Sequence, residues 1–327
     1  MAGGTTHTLH FGGFTNFDFF ATDQKGPDVH SGFSEGQVVF HLSSAISTRI
    51  FFFSEISLTA KPDGFAAEVE RAFIRFEQSD RFKVSAGRFH TPINYWNVAF
   101  HHGQWLQTSI SRPQMTMFGG LFVPVHFIGL LAEGSAPAGK VSLNWNAGLG
   151  NGRGGNPARG GDAGDVNNSR AWLVNLSARP NVIYDLQFGA AYYSDRITLP
   201  ASDLDEWIAS GYVALTRETP EVIAEYAAED HHDRVTGARY RDWAYYVQIA
   251  YRLPWGKERW KPYARYEDTY IEDGDPVFAD FPTRTLALVG IRFDFKAPVA
   301  LKGEIRREHV SGEESFNGIY MSVSYAF

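Results

Sequence analysis

The sequence ends on a segment in which apolar and small polar residues alternate one by one. Ile319, Met321, Val323, Tyr325 and Phe327 occupy the odd positions, and Tyr320, Ser322, Ser324 and Ala326 occupy the even ones. Alternate residues of a β-strand point to opposite faces, so one face is apolar and the other is small and polar. A sheet in water buries such an apolar face, whereas a barrel in lipid leaves it bare and turns the polar face to a wet lumen. The segment predicts the closing strand of a transmembrane β-barrel.

The same alternation recurs along the whole chain, with turn residues between the segments. We predict strands at 7–22, 33–47, 48–61, 66–79, 81–89, 123–136, 139–150, 170–179, 182–197, 206–217, 221–230, 239–253, 260–271, 284–296, 299–309 and 316–327. About sixteen strands is an even number, as single-chain bacterial barrels require. The pattern slips near 66–71 and 306–309. We therefore expect an all-β fold with one domain, residues 1–327, a transmembrane antiparallel β-barrel.

The predicted connections alternate between short turns and longer loops. The longer ones are 23–32, 62–65, 90–122, 151–169, 198–205, 231–238, 272–283 and 310–315. With both termini in the periplasm, every short turn lies inside and every longer loop outside, as in outer-membrane barrels. Aromatic residues such as Trp243, Tyr251 and Trp260 fall near predicted strand ends, where girdles form at the lipid headgroups.

Composition excludes several other classes. The longest apolar stretch, 121–132, contains Pro124 and His126 and is too short to span a bilayer as a helix. A net charge of −7 without a basic run makes nucleic acid an unfavourable partner. The 327 residues include no cysteine, which fits an exported chain. We expect that the numbering begins after an export signal was removed and that 1–6 is an N-terminal extension.

The third long loop, 90–122, is rich in aromatic residues and poor in charge. Such a loop must bury its rings, and the lumen of a barrel of about sixteen strands is wide enough to admit it. We expect it to fold into the lumen and narrow the pore. The predicted constriction residues are Tyr95, Trp96, His101, His102, Trp105 and Arg112.

Two features carry a resemblance to a known family. An inserted third outer loop resembles the constriction of Gram-negative outer-membrane porins, whose last residue is characteristically aromatic, as Phe327 is here. Ala86-Gly87-Arg88-Phe89-His90-Thr91-Pro92 resembles the G-[RQ]-x-x-T-P element of the phosphate-selective (O/P-type) porins, and 72–77 resembles the strand before it. The resemblance implies a passive diffusion channel for small hydrophilic solutes in the bacterial outer membrane, and a homotrimer. The dense basic ladder that phosphate selectivity demands is missing from the sequence.

Alternation also predicts which charges line the lumen. The inward set is Arg71, Arg75, Lys83, Arg265, Arg292, Lys302, Arg306, Glu267 and Glu304. These residues either solvate the wall and pair across strands or sort ions by charge. Residues 90–122 contain no Asp or Glu, so a loop that faces Arg71 and Arg75 would give a positive constriction that favours anions. Acids of the outer loops, including Asp203, Asp205, Asp230, Asp233, Glu272, Asp273 and Asp275, would bind divalent ions shared with lipopolysaccharide.

Other functions receive less support. Adjacent histidines such as His231 and His232, at the tip of a predicted outer loop, point apart on an extended chain, so we expect no metal site and no cofactor. Ser109 and Ser111 offer hydrolase residue types without a recognisable spacing, and we do not expect an enzyme. Gly-rich 148–164 has no G-K-[ST] sequence and fits a flexible outer loop. A non-conducting barrel that serves as a sleeve or anchor for a partner protein remains the main alternative.

Overall fold

The computed structural model describes residues 8–26, 29–100, 103–118, 122–154 and 156–327. The N-terminal extension expected at 1–6 lies outside this set. The strands are β1 Leu9–Thr22, β2 Gly32–Ser34, β3 Gln37–Ala45, β4 Ile50–Lys61, β5 Gly64–Ser79, β6 Phe82–His90, β7 His126–Ala138, β8 Val141–Asn151, β9 Arg170–Pro180, β10 Leu186–Thr198, β11 Asp203–Thr216, β12 Glu221–Asp233, β13 Arg239–Ala250, β14 Trp260–Tyr270, β15 Arg284–Lys296, β16 Val299–Val310 and β17 Phe316–Ala326. One short helix, α1 Tyr95–Ala99, and two 3-10 turns, Gln114–Thr116 and Gly256–Glu258, complete the described elements. None of these helical segments is long and apolar enough to cross a lipid bilayer.

The strands form one closed antiparallel barrel. Each strand pairs with its neighbours in sequence, and β17 returns to pair with β1 from Phe14↔Ala326 to Thr22↔Gly318. The short segments β2 and β3 both pair with β1 and together occupy one position, which gives sixteen positions. The backbone of Phe327 exchanges two hydrogen bonds of 2.9 Å with that of Gly13. The predicted sixteen-stranded antiparallel barrel is confirmed.

The two faces of the wall follow the alternation of the sequence. On β17, Met321 is 53% exposed on the outside, whereas Ser324 is fully buried on the inside. The exposed apolar residues of other strands repeat this pattern and include Leu130, Leu149, Leu176, Val213, Ile249, Val289, Ile291 and Ile305. Charged side chains such as Arg265 and Glu304 lie on the inner face. The outward face is thus a continuous apolar surface.

Aromatic side chains cluster near both ends of the strands. At the long-loop end, Trp172 stacks beside Tyr192 with ring centroids 5.5 Å apart. At the short-turn end, the centroids of Trp260 and Phe293 are 4.4 Å apart. Two aromatic zones therefore flank the apolar surface, and Trp260, one of the predicted girdle residues, belongs to the zone at the short-turn end.

Two connections differ from prediction. The predicted longer loop 62–65 is only the two-residue turn Pro62–Asp63, because β5 begins at Gly64. At the opposite end, residues 251–259 form a nine-residue connection between β13 and β14. Short and long connections therefore alternate less strictly than expected, although the barrel does not depend on it.

The register of the wall shifts at the first of the two places where the alternation slips, whereas the pairing at 306–309 is regular. Between β4 and β5 the pairing changes from Glu55↔Arg71 to Ile56↔Val69, so Glu70 is an extra residue in a β-bulge. Glu70 is 3% exposed and faces inward next to Arg71. The bulge explains the irregular pattern at 66–71.

Candidate functional site

Residues 91–125 connect β6 to β7, and we call them the inserted loop; their described parts, 91–100, 103–118 and 122–125, leave the wall and pack inside the barrel. The backbone N–H of Thr91 donates to the carbonyl of Val125 over 3.0 Å, which closes the base of the loop. The side-chain amide of Asn97 donates to the same two residues, over 2.9 Å to the Thr91 carbonyl and 3.1 Å to the Val125 carbonyl. The described parts of the inserted loop therefore have a defined structure within the lumen, as the sequence predicts.

A carboxylate of the opposite wall binds the start of α1. The backbone N–H groups of Tyr95 and Trp96 each donate to Glu225 on β12 over 2.8 Å. The Tyr246 hydroxyl donates to the same carboxylate. Glu225 is 3% exposed. A buried carboxylate that accepts two backbone N–H bonds satisfies the unpaired donors at a helix start and fixes the position of the loop.

Two basic residues hold the middle of the inserted loop. The Lys302 ammonium on β16 donates to the carbonyls of Gln104, Gln107 over 2.7 Å and Ser109 over 3.0 Å. On β15, Nη1 of Arg292 donates to the carbonyls of Trp105 over 2.7 Å and Gln107 over 2.9 Å. Lys302 has three donors and finds three acceptors. We call Lys302 and Arg292 the carbonyl clamp.

Further charges of the wall bind the next part of the loop. Arg265 donates to the Ser109 hydroxyl over 2.7 Å and to the carbonyl of Ser111 over 2.9 Å. Glu304 accepts a bond of 2.5 Å from the backbone N–H of Ile110 and pairs with Arg306 at 2.6 Å. The N–H of Gln114 similarly donates to Glu267.

Six of the predicted pore-lining charges therefore face the lumen without bordering open space. They are Arg265, Glu267, Arg292, Lys302, Glu304 and Arg306, and each is at most 8% exposed. The loop covers them because its backbone polar groups need partners, and the charged wall supplies these partners. Five of them bind the inserted loop directly, and the sixth, Arg306, pairs with Glu304.

Trp96 packs into the same contact. It is fully buried, with its ring centroid 4.9 Å from that of Phe100 and 5.9 Å from that of Tyr246. The Arg265 guanidinium lies 5.7 Å from the Trp96 ring. The structure thus places Trp96 between loop and wall and not at a constriction.

The remaining predicted constriction residues lie in different settings. Trp105 is half-buried beside the carbonyl clamp. Arg112 is 9% exposed, with its guanidinium 3.9 Å from the centroid of the Phe118 ring and 3.3 Å from the Asn97 amide oxygen. His101 and His102 lie outside the described residues. Of the four members of the predicted set that the structure describes, Tyr95 borders the cavity described next, and the other three do not.

A cavity of about 510 Å³ separates the inserted loop from the other side of the barrel. Tyr95, Val98 and Ala99 line it on the loop side. The wall side runs from β5 to β11 and contributes Arg71, Phe73, Arg75, Asp80, Lys83, Glu133, Asn144, Asn146, Asn175, Ser177, Arg179, Gln187 and Tyr212. Because Asp80 and Arg179 lie beside short turns, the cavity extends from the short-turn end up to the inserted loop.

Three predicted pore-lining cations border this cavity, and each is about one-quarter exposed. Arg75 pairs with Glu133 at 3.2 Å, and Lys83 pairs with Glu77 at 3.6 Å. Arg71 pairs with Glu55 at 2.5 Å, and Glu55 is 1% exposed. All three cations face inward and are partly exposed to the cavity.

Aromatic rings follow one another around the wall beside these cations. The ring centroids of Phe14 and His41 are 5.3 Å apart, those of His41 and Phe53 5.4 Å, those of Phe53 and Phe73 5.7 Å, and those of Phe73 and Phe89 5.3 Å. The Arg71 guanidinium lies 4.5 Å from the Phe53 ring. The rings stiffen the wall and hold the guanidinium groups by cation–π contact.

Among the described residues on the loop side of the cavity, none carries a titrating charge near neutral pH. Burial raises the pKa of Tyr95 to about 12, and Glu221 adds to the shift. The phenol therefore stays neutral at pH 7. Residues 90–122 contain no Asp or Glu, so the cavity's fixed charge comes from the wall.

Histidines and carboxylates fill the lumen above this level. His126 lies 2.8 Å from Glu70, and His90 lies 3.6 Å from Glu55. The loop 152–169 reaches over them, where Arg159 pairs with Glu68 at 2.9 Å and Asp162 pairs with Arg88. The lumen therefore narrows toward the long-loop end.

The outer mouth on the opposite side is closed by packed loops. The rings of Phe122 and Phe278 stack with centroids 5.7 Å apart. Arg153 is 2% exposed and lies 3.5 Å from both Glu206 and Glu229. Burial alone would lower the pKa of Arg153, but these two carboxylates hold it above its usual range. Arg153 is therefore charged.

Several acids assigned to outer loops have partners within the chain. Asp205 pairs with Arg196 at 3.0 Å, and Asp230 pairs with Arg241 at 2.9 Å. Asp275 lies buried, 2.5 Å from His231. His231 itself is a buried residue of β12 and not the tip of an outer loop, because β12 continues to Asp233.

The serines that offered hydrolase residue types serve as anchors. The Ser109 hydroxyl donates to the carbonyl of Ser111 over 3.0 Å and accepts from Arg265. The Ser111 hydroxyl accepts a second bond from Arg265 over 2.7 Å. Both hydroxyls are used to attach the inserted loop to β14.

No protein-family model matches the sequence, and no curated protein matches it. Solved structures do match the fold. An anion-selective porin from Comamonas acidovorans shares 9% identity over 98% of this chain and 100% of that chain, with a TM-score of 0.70. The trimer form of OmpT, an outer membrane protein of Vibrio cholerae, shares 12% identity over 99% of this chain and 100% of that chain, with a TM-score of 0.65. The outer membrane channel DcaP of Acinetobacter baumannii shares 11% identity over 98% of this chain and 97% of that chain, with a TM-score of 0.63. The chain therefore has a porin-like fold.

Sequence reasoning missed the wall residues that position the loop most directly. Alternation turns Glu225 inward, but nothing in the sequence singles out Glu225 or Glu221 as a partner of the loop, although Glu221 accepts a bond of 2.8 Å from the Thr108 hydroxyl. The available signal was that the wall carries inward acids, whereas residues 90–122 contain no acid at all. That signal indicates partners for backbone N–H groups, but alternation alone cannot say which strand the loop contacts.

Proposed function

We propose that this protein is an outer-membrane channel for passive diffusion of small hydrophilic solutes. The observation that carries the proposal is a charged cavity of about 510 Å³ inside a barrel whose outward face is apolar. Hydrocarbon would cover the outward face, and lipopolysaccharide would cover the aromatic zone at the long-loop end. The inserted loop would limit solute size, because its contacts with the wall fix its position. Diffusion through such a path needs no cofactor.

We propose that the channel favours anions. Arg71, Arg75, Lys83 and Arg179 line the cavity, against Asp80 and Glu133 as its lining acids. Fixed positive charge in a narrow aqueous path raises the local concentration of anions. One structural neighbour is described as an anion-selective porin, which fits this preference. Similarity to the phosphate-selective porins at 86–92 supports the same class of solute without indicating phosphate itself.

The test is ion selectivity in a planar bilayer. Reconstituted protein should give steady ohmic openings, and its reversal potential in a KCl gradient should show preference for chloride. Replacing Arg71, Arg75 and Lys83 together by Gln should reduce or reverse that preference. The matched control replaces Arg49, Lys140 and Lys257 by Gln, since these exposed residues lie on connections at the short-turn end, outside the cavity.

Each outcome decides one part of the proposal. A folded barrel that never conducts would contradict the channel and support the sleeve or anchor function. A cation preference in the unaltered protein would contradict only the anion preference. Equal effects of the two triple substitutions would show that general surface charge, and not this cavity, sets selectivity.

We also propose a homotrimer, because a structural neighbour of the same fold is described in a trimer form. Native mass spectrometry in detergent should show a species of three chains. A purely monomeric protein in mild detergent at all concentrations would contradict this assembly.

A further inference from the structure

A buried polar cluster near the long-loop end of β11 and β12 is not explained by the channel. His231 is 1% exposed and has carboxylates beside both ring nitrogens. Nε2 lies 3.1 Å from Oε1 of Glu206 and 3.9 Å from Oε2 of Glu229. Nδ1 lies 2.5 Å from Oδ2 of Asp275 and 3.7 Å from Oδ2 of Asp242. All four acids are at most 2% exposed.

The charges of this cluster do not balance. Glu206, Glu229, Asp242 and Asp275 bring four negative charges when ionised, and Arg153 brings one positive charge at 3.5 Å from the two glutamates. Even a protonated His231 leaves two negative charges in excess. Buried charge is costly unless it is paired with opposite charge or binds a metal ion.

Specific oxygen atoms also lack hydrogen bonds. Oε2 of Glu229, on a fully buried side chain, accepts none from the described residues, and Oε2 of Glu206 accepts none either, although Arg153 lies 3.5 Å from it as an ion-pair partner. Oε2 of Glu229 is directed toward His231 Nε2. Buried polar atoms of this kind call for a further partner.

The two sides of the imidazole differ in what they fit. Two ligand atoms on one tetrahedral ion, each about 2.0–2.1 Å from it, lie roughly 3.3 Å apart. On the Nε2 side, the contact of 3.1 Å to Glu206 is also a hydrogen-bond distance, but together with the 3.9 Å separation from Glu229 it fits the spacing of ligands around one ion. On the other side, Nδ1 and Oδ2 of Asp275 are 2.5 Å apart. This is a hydrogen-bond distance and is too short for two ligands of one ion.

We propose that His231 Nε2, Glu206 and Glu229 bind one divalent transition-metal ion. One imidazole nitrogen with two carboxylate oxygens suits zinc or manganese rather than an all-oxygen calcium site. Glu206 and His231 are direct cross-strand partners, so the wall itself presets the ligands. Asp275 accepts a hydrogen bond from Nδ1–H and so orients the ring, and Arg153 pairs with both glutamates from the other side.

Metal binding would also stabilise the closed outer mouth. Asp275 belongs to the loop 271–283, and Phe278 of that loop lies with its ring 5.5 Å from the His231 ring. A metal on Nε2 fixes the tautomer that donates from Nδ1 to Asp275. The ion therefore ties this loop to the wall.

The experiment measures zinc and manganese binding to the full-length protein in detergent. The protein is dialysed against each metal ion and then against metal-free buffer. Inductively coupled plasma mass spectrometry then gives the stoichiometry of bound metal, and isothermal titration calorimetry gives the affinity. We expect one equivalent in the unaltered protein and at least a hundredfold loss of affinity in His231→Gln and Glu229→Gln. Asp275→Asn should lose about 10- to 100-fold, as for other residues that orient metal ligands.

His232→Gln is the matched control, because His232 is the next residue of β12 and does not belong to the cluster. It should bind the metal ion as the unaltered protein does, and circular dichroism should show that all variants keep their β structure. No bound zinc or manganese in the folded unaltered protein would overturn the site. Equal binding by His231→Gln and His232→Gln would overturn it as well. Loss of binding in Asp242→Asn but not in Glu229→Gln would overturn the assignment to Nε2.

Discussion

Replacing Lys302 by Met should release the middle of the inserted loop. The ammonium donates to three backbone carbonyls, those of Gln104, Gln107 and Ser109, and it is only 4% exposed. Met has a similar length and no donor. The loop would therefore keep its space but lose the bonds that hold this segment.

The magnitude follows from the hydrogen bonds. A bond to a charged group contributes about 1.5–3 kcal/mol, so three sum to roughly 4.5–9 kcal/mol. Burying the ammonium costs several kcal/mol of desolvation, and the Met variant does not have this cost. We expect a net cost of about 2–4 kcal/mol for the docked loop, or a shift of roughly 30- to 1000-fold toward released states.

A spin label would report this release directly. The sequence has no cysteine, so one Cys at Leu106, which is 52% exposed, can be labelled alone. In Lys302→Met the label should become more mobile, and single-channel recordings should show more noise and larger openings. Lys296→Met is the matched control, since Lys296 is exposed at the end of β15. Identical mobility and conductance in the two variants would refute the clamp.

Three further substitutions test other parts of the structure. Glu225→Gln should enlarge single-channel conductance, because the amide cannot accept all the bonds that anchor α1; unchanged conductance would argue against this anchor. Gly87→Ala should lower the thermal unfolding midpoint, because φ is +142° and the new Cβ would lie 2.1 Å from the Ala72 carbonyl oxygen. Gly303→Ala has no such neighbour and should unfold as the unaltered protein does, so equal midpoints would contradict the strain. Asp162→Asn should raise conductance modestly by loosening the loop 152–169, and a lower conductance would contradict its capping role.

The wall was predictable from sequence because its rule is local. Alternation at 319–327 depends only on which side of one strand each residue occupies, and the exposed Met321 and buried Ser324 follow it. The inward direction of Lys302 and Arg71 follows for the same reason. Where a bulge adds Glu70, the rule fails over a few residues, since one extra residue reverses the faces.

The site was less predictable because it depends on contacts between distant segments. Lys302 and Gln107 are 195 residues apart, and nothing local distinguishes a lysine that holds a loop from one that faces water. Trp96 reads as a constriction residue until the position of Tyr246 is known. His231 looks exposed beside His232, but the length of β12 and the fold of the loop 271–283 bury it.

Chemical block of the cavity tests the central claim most directly, because it asks whether ions pass between the inserted loop and the wall. Asn146 lines the cavity, and Cys at this position can react with a bulky methanethiosulfonate reagent. A matched Cys at Glu313, exposed in the outer loop 311–315, reports any effect of the reagent itself. We predict that labelling Asn146→Cys abolishes most of the current while labelling Glu313→Cys leaves it unchanged. Full labelling of Asn146→Cys with undiminished current would show that the solute path lies elsewhere.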